Sequence, residues 1–319
     1  MPQATHDGVD WPRAWTALRR QPKCRTVVVV ENGGMSIETT PLPPFVDMAW
    51  LGEHLESVVL VDSRWYIDGS SASDAYARGH LPGAVYLDFD QWLSGAPAGS
   101  GLHPLPDPET FASGMGSVGI GNTTTVIAYD DAGGVIAARL VWMLRAVGTA
   151  AALLDGGMQA WKGPLETAPY SRPATTFSSR PWPTNELVPL AELDSARQLV
   201  DARNADRFDG SVQAPTDPRP GHIPGAASVP CRANLTAEGH VMHQDELRKT
   251  FQAVGISDAA TVVSYCGSGV TACHNLLTME WAGLGRGRLY VGGWSEYGAH
   301  VELPAEPTVA ASDPHRAGS

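Results

Sequence analysis

The 319-residue sequence is short of cysteine. It has four, Cys24, Cys231, Cys266 and Cys273, and no two are spaced as a CxxC pair. Scattered thiols of this kind give neither a disulfide framework nor a zinc-ligand set. The chain also lacks any apolar run of 18 or more residues, the length a membrane-spanning helix needs. The N-terminal region lacks the apolar stretch and small-residue cleavage site of a secretion signal. Positive charge is scarce. Lys and Arg number 22 against 34 Asp and Glu, a formal net charge of −12, and no basic stripe stands out. That balance points away from nucleic acid and anionic membrane as partners. The expectation is a cytoplasmic protein whose cysteines are either small buried hydrophobes or reactive thiols.

What the sequence has instead is an internal repeat. Val126-Ile127-Ala128-Tyr129-Asp130 resembles Val262-Val263-Ser264-Tyr265-Cys266, an offset of 136. Val118-Gly119-Ile120 and Gly156-Gly157 recur as Val254-Gly255-Ile256 and Gly292-Gly293 at the same offset. Leu60-Val61-Asp62 parallels Leu199-Val200-Asp201, and Gly79-His80-Leu81-Pro82-Gly83-Ala84 parallels Gly221-His222-Ile223-Pro224-Gly225-Ala226. Matches in one order with a small drift mean a duplicated domain. Two domains also suit the length.

Each copy reads as strands alternating with helices. Short apolar runs at 58–62 and 198–201 predict buried strands, and further strands follow at 84–87, 226–229, 125–129 and 261–265. Ile136, Leu140, Met143, Leu144 and Val147 recur at helical spacing, and the second copy predicts a helix from about Thr271 to Trp281. Such alternation implies an α/β fold, each copy a mostly parallel sheet flanked by helices. The expected organisation is an N-terminal extension over 1–40, a first copy over 41–165, a linker over 166–189, a second copy over 190–305 and a tail over 306–319. Met35 is an alternative start that would make residues 1–34 dispensable for catalysis.

The repeat singles out one cysteine. Cys266 follows a predicted strand, and its twin position is Asp130. After it come Gly267-Ser268-Gly269-Val270-Thr271 and then a helix. A strand, a Gly-containing loop and a helix start bring main-chain N–H groups together around an anion. A thiol placed there becomes a thiolate more readily. Cys24, Cys231 and Cys273 have no such context and are expected to be inert.

The Cys266–Thr271 loop resembles the active-site loop of the tandem-rhodanese sulfurtransferases, the mercaptopyruvate and thiosulfate sulfurtransferase family. The two G-H-[LI]-P-G-A motifs, Tyr129-Asp130-Asp131 with Gly133-Gly134, Asp155-Gly156-Gly157 with Trp161, and Gly293-Trp294-Ser295-Glu296-Tyr297 are similar too. The resemblance covers about residues 45–305. It implies two rhodanese-like domains, the first without its cysteine. It implies a two-step reaction in which Cys266 takes sulfur from a small-molecule donor as a persulfide. A thiol such as thioredoxin, or cyanide, then removes it. No cofactor and no metal are implied.

The loop carries no basic residue, which favours 3-mercaptopyruvate over the thiosulfate dianion as donor. Family resemblance makes Arg207 a carboxylate ligand, with Arg219 as a second candidate whose spacing departs from the pattern. Gly267, Gly269, Val270 and Thr271 complete the expected substrate loop. The resemblance also implies a Ser–His–acid relay joining Ser268 to His80, with Asp62, Asp68 or Asp74 as the acid. His80 recurs as His222, which equally suits a turn histidine bonded to backbone. Two other readings are weighed. A Cdc25-type phosphatase needs a C-x5-R loop, and position 272 is Ala272. A non-catalytic sulfur-carrier or regulatory rhodanese module fits poorly with an intact cysteine and Arg207. Gly114 to Gly119 matches G-x-G-x-x-G literally but precedes a strand, so a dinucleotide site is rejected. His240 and His243 are expected to be surface residues.

Overall fold

A computed structural model describes residues 42–306, apart from Ala98 and Ser100. The expected N-terminal extension, Cys24 and nearly all of the expected tail lie outside the described residues. Among the described residues nine strands form two sheets. They are β1 (Phe45–Val46), β2 (Val58–Asp62), β3 (Val85–Tyr86), β4 (Thr125–Tyr129) and β5 (Ala151–Leu154), then β6 (Gln198–Asp201), β7 (Ala227–Ser228), β8 (Val262–Tyr265) and β9 (Arg288–Leu289). The first sheet has the order β1-β5-β4-β2-β3 and the second β7-β6-β8-β9. All pairings are parallel.

Strand period explains the layers. Successive side chains point to opposite faces, and here both faces are covered. Val59, Val61, Val126 and Ala128 enter one apolar cluster, while Val58, Leu60, Ile127 and Tyr129 enter a second on the other face. In the second copy Val262 joins the first cluster and Val263 and Tyr265 join a third. The inner faces of both copies therefore share one core. Helices Ala138–Ala146 and Ala272–Trp281 contribute Leu140, Met143, Leu276 and Met279 to it. Burying each such side chain contributes about 1.5–3 kcal/mol, which ties the domains together. Arg145 on the first helix also pairs with Glu280 on the second.

The Pro- and Thr-rich stretch after the first copy runs along it. Glu166 exchanges main-chain hydrogen bonds with His80 at 2.9 Å, Phe177 is buried, and Trp182 Nε1 donates to the Pro106 carbonyl at 2.9 Å. Among the described residues no helix is long and apolar enough to cross a membrane.

Candidate active site

Cys266 leaves the C-terminal end of β8, where a parallel sheet opens its loops toward a ligand crevice. The residue is 3% exposed. Its carbonyl accepts from Trp294 N at 2.8 Å, and the Gly267 carbonyl accepts from Ser295 N at 2.8 Å. Those bonds anchor the start of the loop to the helix Gly293–Tyr297. Among the described residues, no protein acceptor meets the main-chain N–H groups of Gly267 to Val270. Gly269 has φ +72°, and a Cβ there would lie 2.6 Å from the Val291 carbonyl oxygen. Only glycine fits such a position.

The twin loop shows what this geometry holds. The fully buried Asp130 carboxylate accepts main-chain N–H bonds from Ala132 (2.8 Å), Gly134 (2.7 Å), Ile136 (2.8 Å) and Ala137 (2.8 Å). The first copy thus fills its own anion cradle with a side chain. Burial still outweighs the four amides and pushes the Asp130 pKa up.

The Cys266 loop forms one wall of a cavity of about 430 Å3 between the copies. Trp65, Tyr66, Asp68, His103 and Asp131 face it from the first copy, and Arg203, Arg207 and Arg232 from the second. Gly267, Ser268, Val270 and Thr271 line it. Gly269 turns its carbonyl away, to Arg139 Nη1 at 3.0 Å. Ser268 Oγ lies 2.6 Å from His103 Nδ1. Trp65 packs edge-on against the His103 ring and donates its Nε1 hydrogen to Asp90 at 3.0 Å. Burial, and next the charge of Arg139, hold the His103 pKa below its usual range. Its ring is neutral near pH 7 and can exchange a proton with the serine.

Two sequence expectations are corrected. His80 does not face Ser268. It is fully buried, stacks on Tyr76 at 3.7 Å and bonds the Tyr76 carbonyl through Nδ1 at 2.9 Å. Its twin His222 stacks on Phe208 at 3.7 Å and bonds the Phe208 carbonyl at 2.8 Å. The shared motif therefore builds a turn. Among its candidate acids, Asp62 is paired with Arg64 and Asp74 lies in the first turn of a helix. Only Asp68 reaches the cavity. Arg219 does not line the cavity either. Its Nη2 donates to the carbonyls of His300 (3.2 Å) and Leu303 (2.8 Å), and its guanidinium lies over the Trp294 ring.

Arg207 does line the cavity. Nε and Nη2 hold Asp217 at 2.8 and 2.5 Å, which fixes the guanidinium beside Gly267. Cys231 also reaches the wall, but burial raises its pKa to about 11. Cys273 lies behind the loop, where burial raises its pKa to about 12.

Sequence reasoning missed His103, Arg139, Asp217 and Arg232. One signal for His103 was present. Its counterpart at an offset of 137 is His240, which packs against the first copy's loop and bonds Asp155 at 3.0 Å. Each copy hands a histidine to the other. Among the described residues no group of three or more His, Cys, Asp or Glu side chains could hold a metal.

A family model described as the rhodanese-like domain matches residues 47–164 and 188–300. The chain belongs to the rhodanese family. This rhodanese is 35% identical over 283 residues to the 3-mercaptopyruvate sulfurtransferase of Escherichia coli K12, covering 82% of this chain and 98% of that relative. It is 34% identical to a Mycobacterium tuberculosis protein assigned by name to the thiosulfate sulfurtransferases, over 78% of this chain and 90% of the relative. Among solved structures, the 3-mercaptopyruvate sulfurtransferase of Leishmania major superposes with a TM-score of 0.73 at 33% identity, covering 80% of this chain and 74% of that one.

Proposed function

We propose that this rhodanese is a sulfurtransferase that takes sulfur from 3-mercaptopyruvate onto Cys266 and passes it to a thiol. One observation carries the reading. The cysteine opens a loop of free main-chain donors at a cavity whose facing wall brings His103 within hydrogen-bond distance of the loop's own Ser268. The Cys266 thiolate attacks the donor sulfur, forming an S–S bond. The carbon–sulfur bond breaks, and its electron pair moves into the pyruvate enolate. The proton leaving the donor's S–H passes to the methylene carbon, giving pyruvate and the persulfide anion, and His103 with Ser268 is the pair that would carry it. The loop amides hold the resulting persulfide anion. An acceptor thiolate then attacks the outer sulfur and regenerates Cys266.

Arg207 supports a donor with a carboxylate, because a planar guanidinium beside the loop suits that group. Thioredoxin or cyanide would serve as acceptor, and a reducing cytoplasm would keep Cys266 a thiol. Steady-state kinetics with 3-mercaptopyruvate and thiosulfate test the reading. The proposal expects a higher kcat/KM for 3-mercaptopyruvate and none with Cys266→Ser. Single-turnover sulfur loading without catalytic turnover would favour a sulfur carrier instead.

A further inference from the structure

The three arginines of the cavity wall differ once their partners are named. Arg203 is locked onto Asp201 at 2.7 Å, and Arg207 holds Asp217 through two hydrogen bonds. Each of these charges is matched by a carboxylate. Arg232, in the turn Cys231–Asn234, also lines the cavity and is exposed. Among the described residues no carboxylate pairs with it. Arg203 Nη1 adds a second unmet donor in the same wall. It is buried, has no hydrogen-bond acceptor among the described residues, and comes no closer than 3.8 Å to Asp217.

Sheet geometry sets how far the main chain of this turn is from that of Cys266. Cys231 N donates to the Ala202 carbonyl at 3.1 Å, and Ala202 N donates to the Tyr265 carbonyl at 2.8 Å. The turn bearing Arg232 is therefore two strand spacings from Cys266, about 9.6 Å at the main chain. Both residues line the same cavity, and an arginine stem is shorter than that gap, so a short carbon chain fits between them.

We infer that Arg232 is a specificity-determining residue, which holds the distal carboxylate of a 2-oxo-acid donor whose sulfur meets Cys266. The inference rests on the function proposed above. Thiosulfate carries its oxygens on the atom bonded to the transferred sulfur, so its charge stays at the Cys266 loop. 3-Mercaptopyruvate carries its carboxylate beyond a methylene and a carbonyl, toward Arg232. Arg219 is committed to main-chain carbonyls and Arg207 to Asp217, which leaves Arg232 as the wall cation without a carboxylate partner among the described residues.

Arg232→Met and Arg232→Lys test this, each checked for an unchanged melting temperature. Arg232→Met should raise KM for 3-mercaptopyruvate about five- to tenfold, the scale of a half-exposed charged contact. Its kcat and its KM for thiosulfate should move less than about twofold, and Arg232→Lys should recover most of the loss. Pyruvate binding, measured by calorimetry in a Cys266→Ser background, should weaken by the same factor. That readout needs no sulfur transfer, so it stands apart from failure of the proposed reaction. Equal pyruvate affinity with and without Arg232 would overturn the inference. So would a parallel rise in KM for both donors, which is a general field effect rather than recognition.

Discussion

His103 Nδ1 and Ser268 Oγ meet at 2.6 Å across the boundary between the two copies. The histidine belongs to the copy without a cysteine, and the serine to the loop that has one. The cysteine-less copy is therefore half of the site.

If the pair delivers a proton to the leaving enolate, its loss should depend on the donor. Ser268→Ala and His103→Gln should lower kcat for 3-mercaptopyruvate about 100-fold, the usual scale of general acid catalysis. Sulfite leaves thiosulfate as a stable anion and needs no carbon protonation. Sulfur loading from thiosulfate should then change less than about fivefold. Stopped-flow loading with each donor separates the two cases, and equal losses would assign the pair to loop structure.

Asp130 gives a stability prediction. Asp130→Asn replaces one carboxylate oxygen with an NH2 group facing main-chain N–H donors. Leaving buried donors unmet costs about 1–3 kcal/mol per group. The variant should lose several degrees of melting temperature and still form a Cys266 persulfide. An unchanged melting temperature would mean that the cradle closes without the carboxylate.

His274 predicts how stability follows pH. It is fully buried, neither ring nitrogen has a partner among the described residues, and Phe45 meets it edge-on at 5.8 Å. Burial, and next Arg232, lower its pKa from 6.5 to about 3. The folded state therefore keeps the neutral ring, while the unfolded chain takes up a proton near pH 6.5. Stability is unaffected by this group above pH 6.5 and falls as pH drops from there toward 3. His274→Phe removes the titrating ring and should flatten that part of the profile. Urea midpoints at pH 7.5, 5 and 4 measure it, and identical slopes would remove His274 from the effect.

The sequence made part of this legible. Duplication, the parallel sheets and the Cys266 loop all rest on local pattern, because strand period and glycine positions act over a few residues. The predicted strand 58–62 is β2, and the predicted helix starting near Thr271 is Ala272–Trp281. The short edge strand β1 went unseen, since two residues carry no period. His103 and Arg139 also went unseen, because their partners Ser268 and Gly269 lie more than 120 residues away. Only the docking of the copies joins them. His80 misled for the opposite reason. Its conspicuous motif is a turn device that the duplication repeats at His222.

Intact-protein mass spectrometry after brief exposure to 3-mercaptopyruvate, without acceptor, tests the central claim most directly. The account predicts one added sulfur, lost on adding a thiol and absent in Cys266→Ser. The same mass gain in Cys266→Ser, or sulfur located on Cys231 or Cys273, would contradict it.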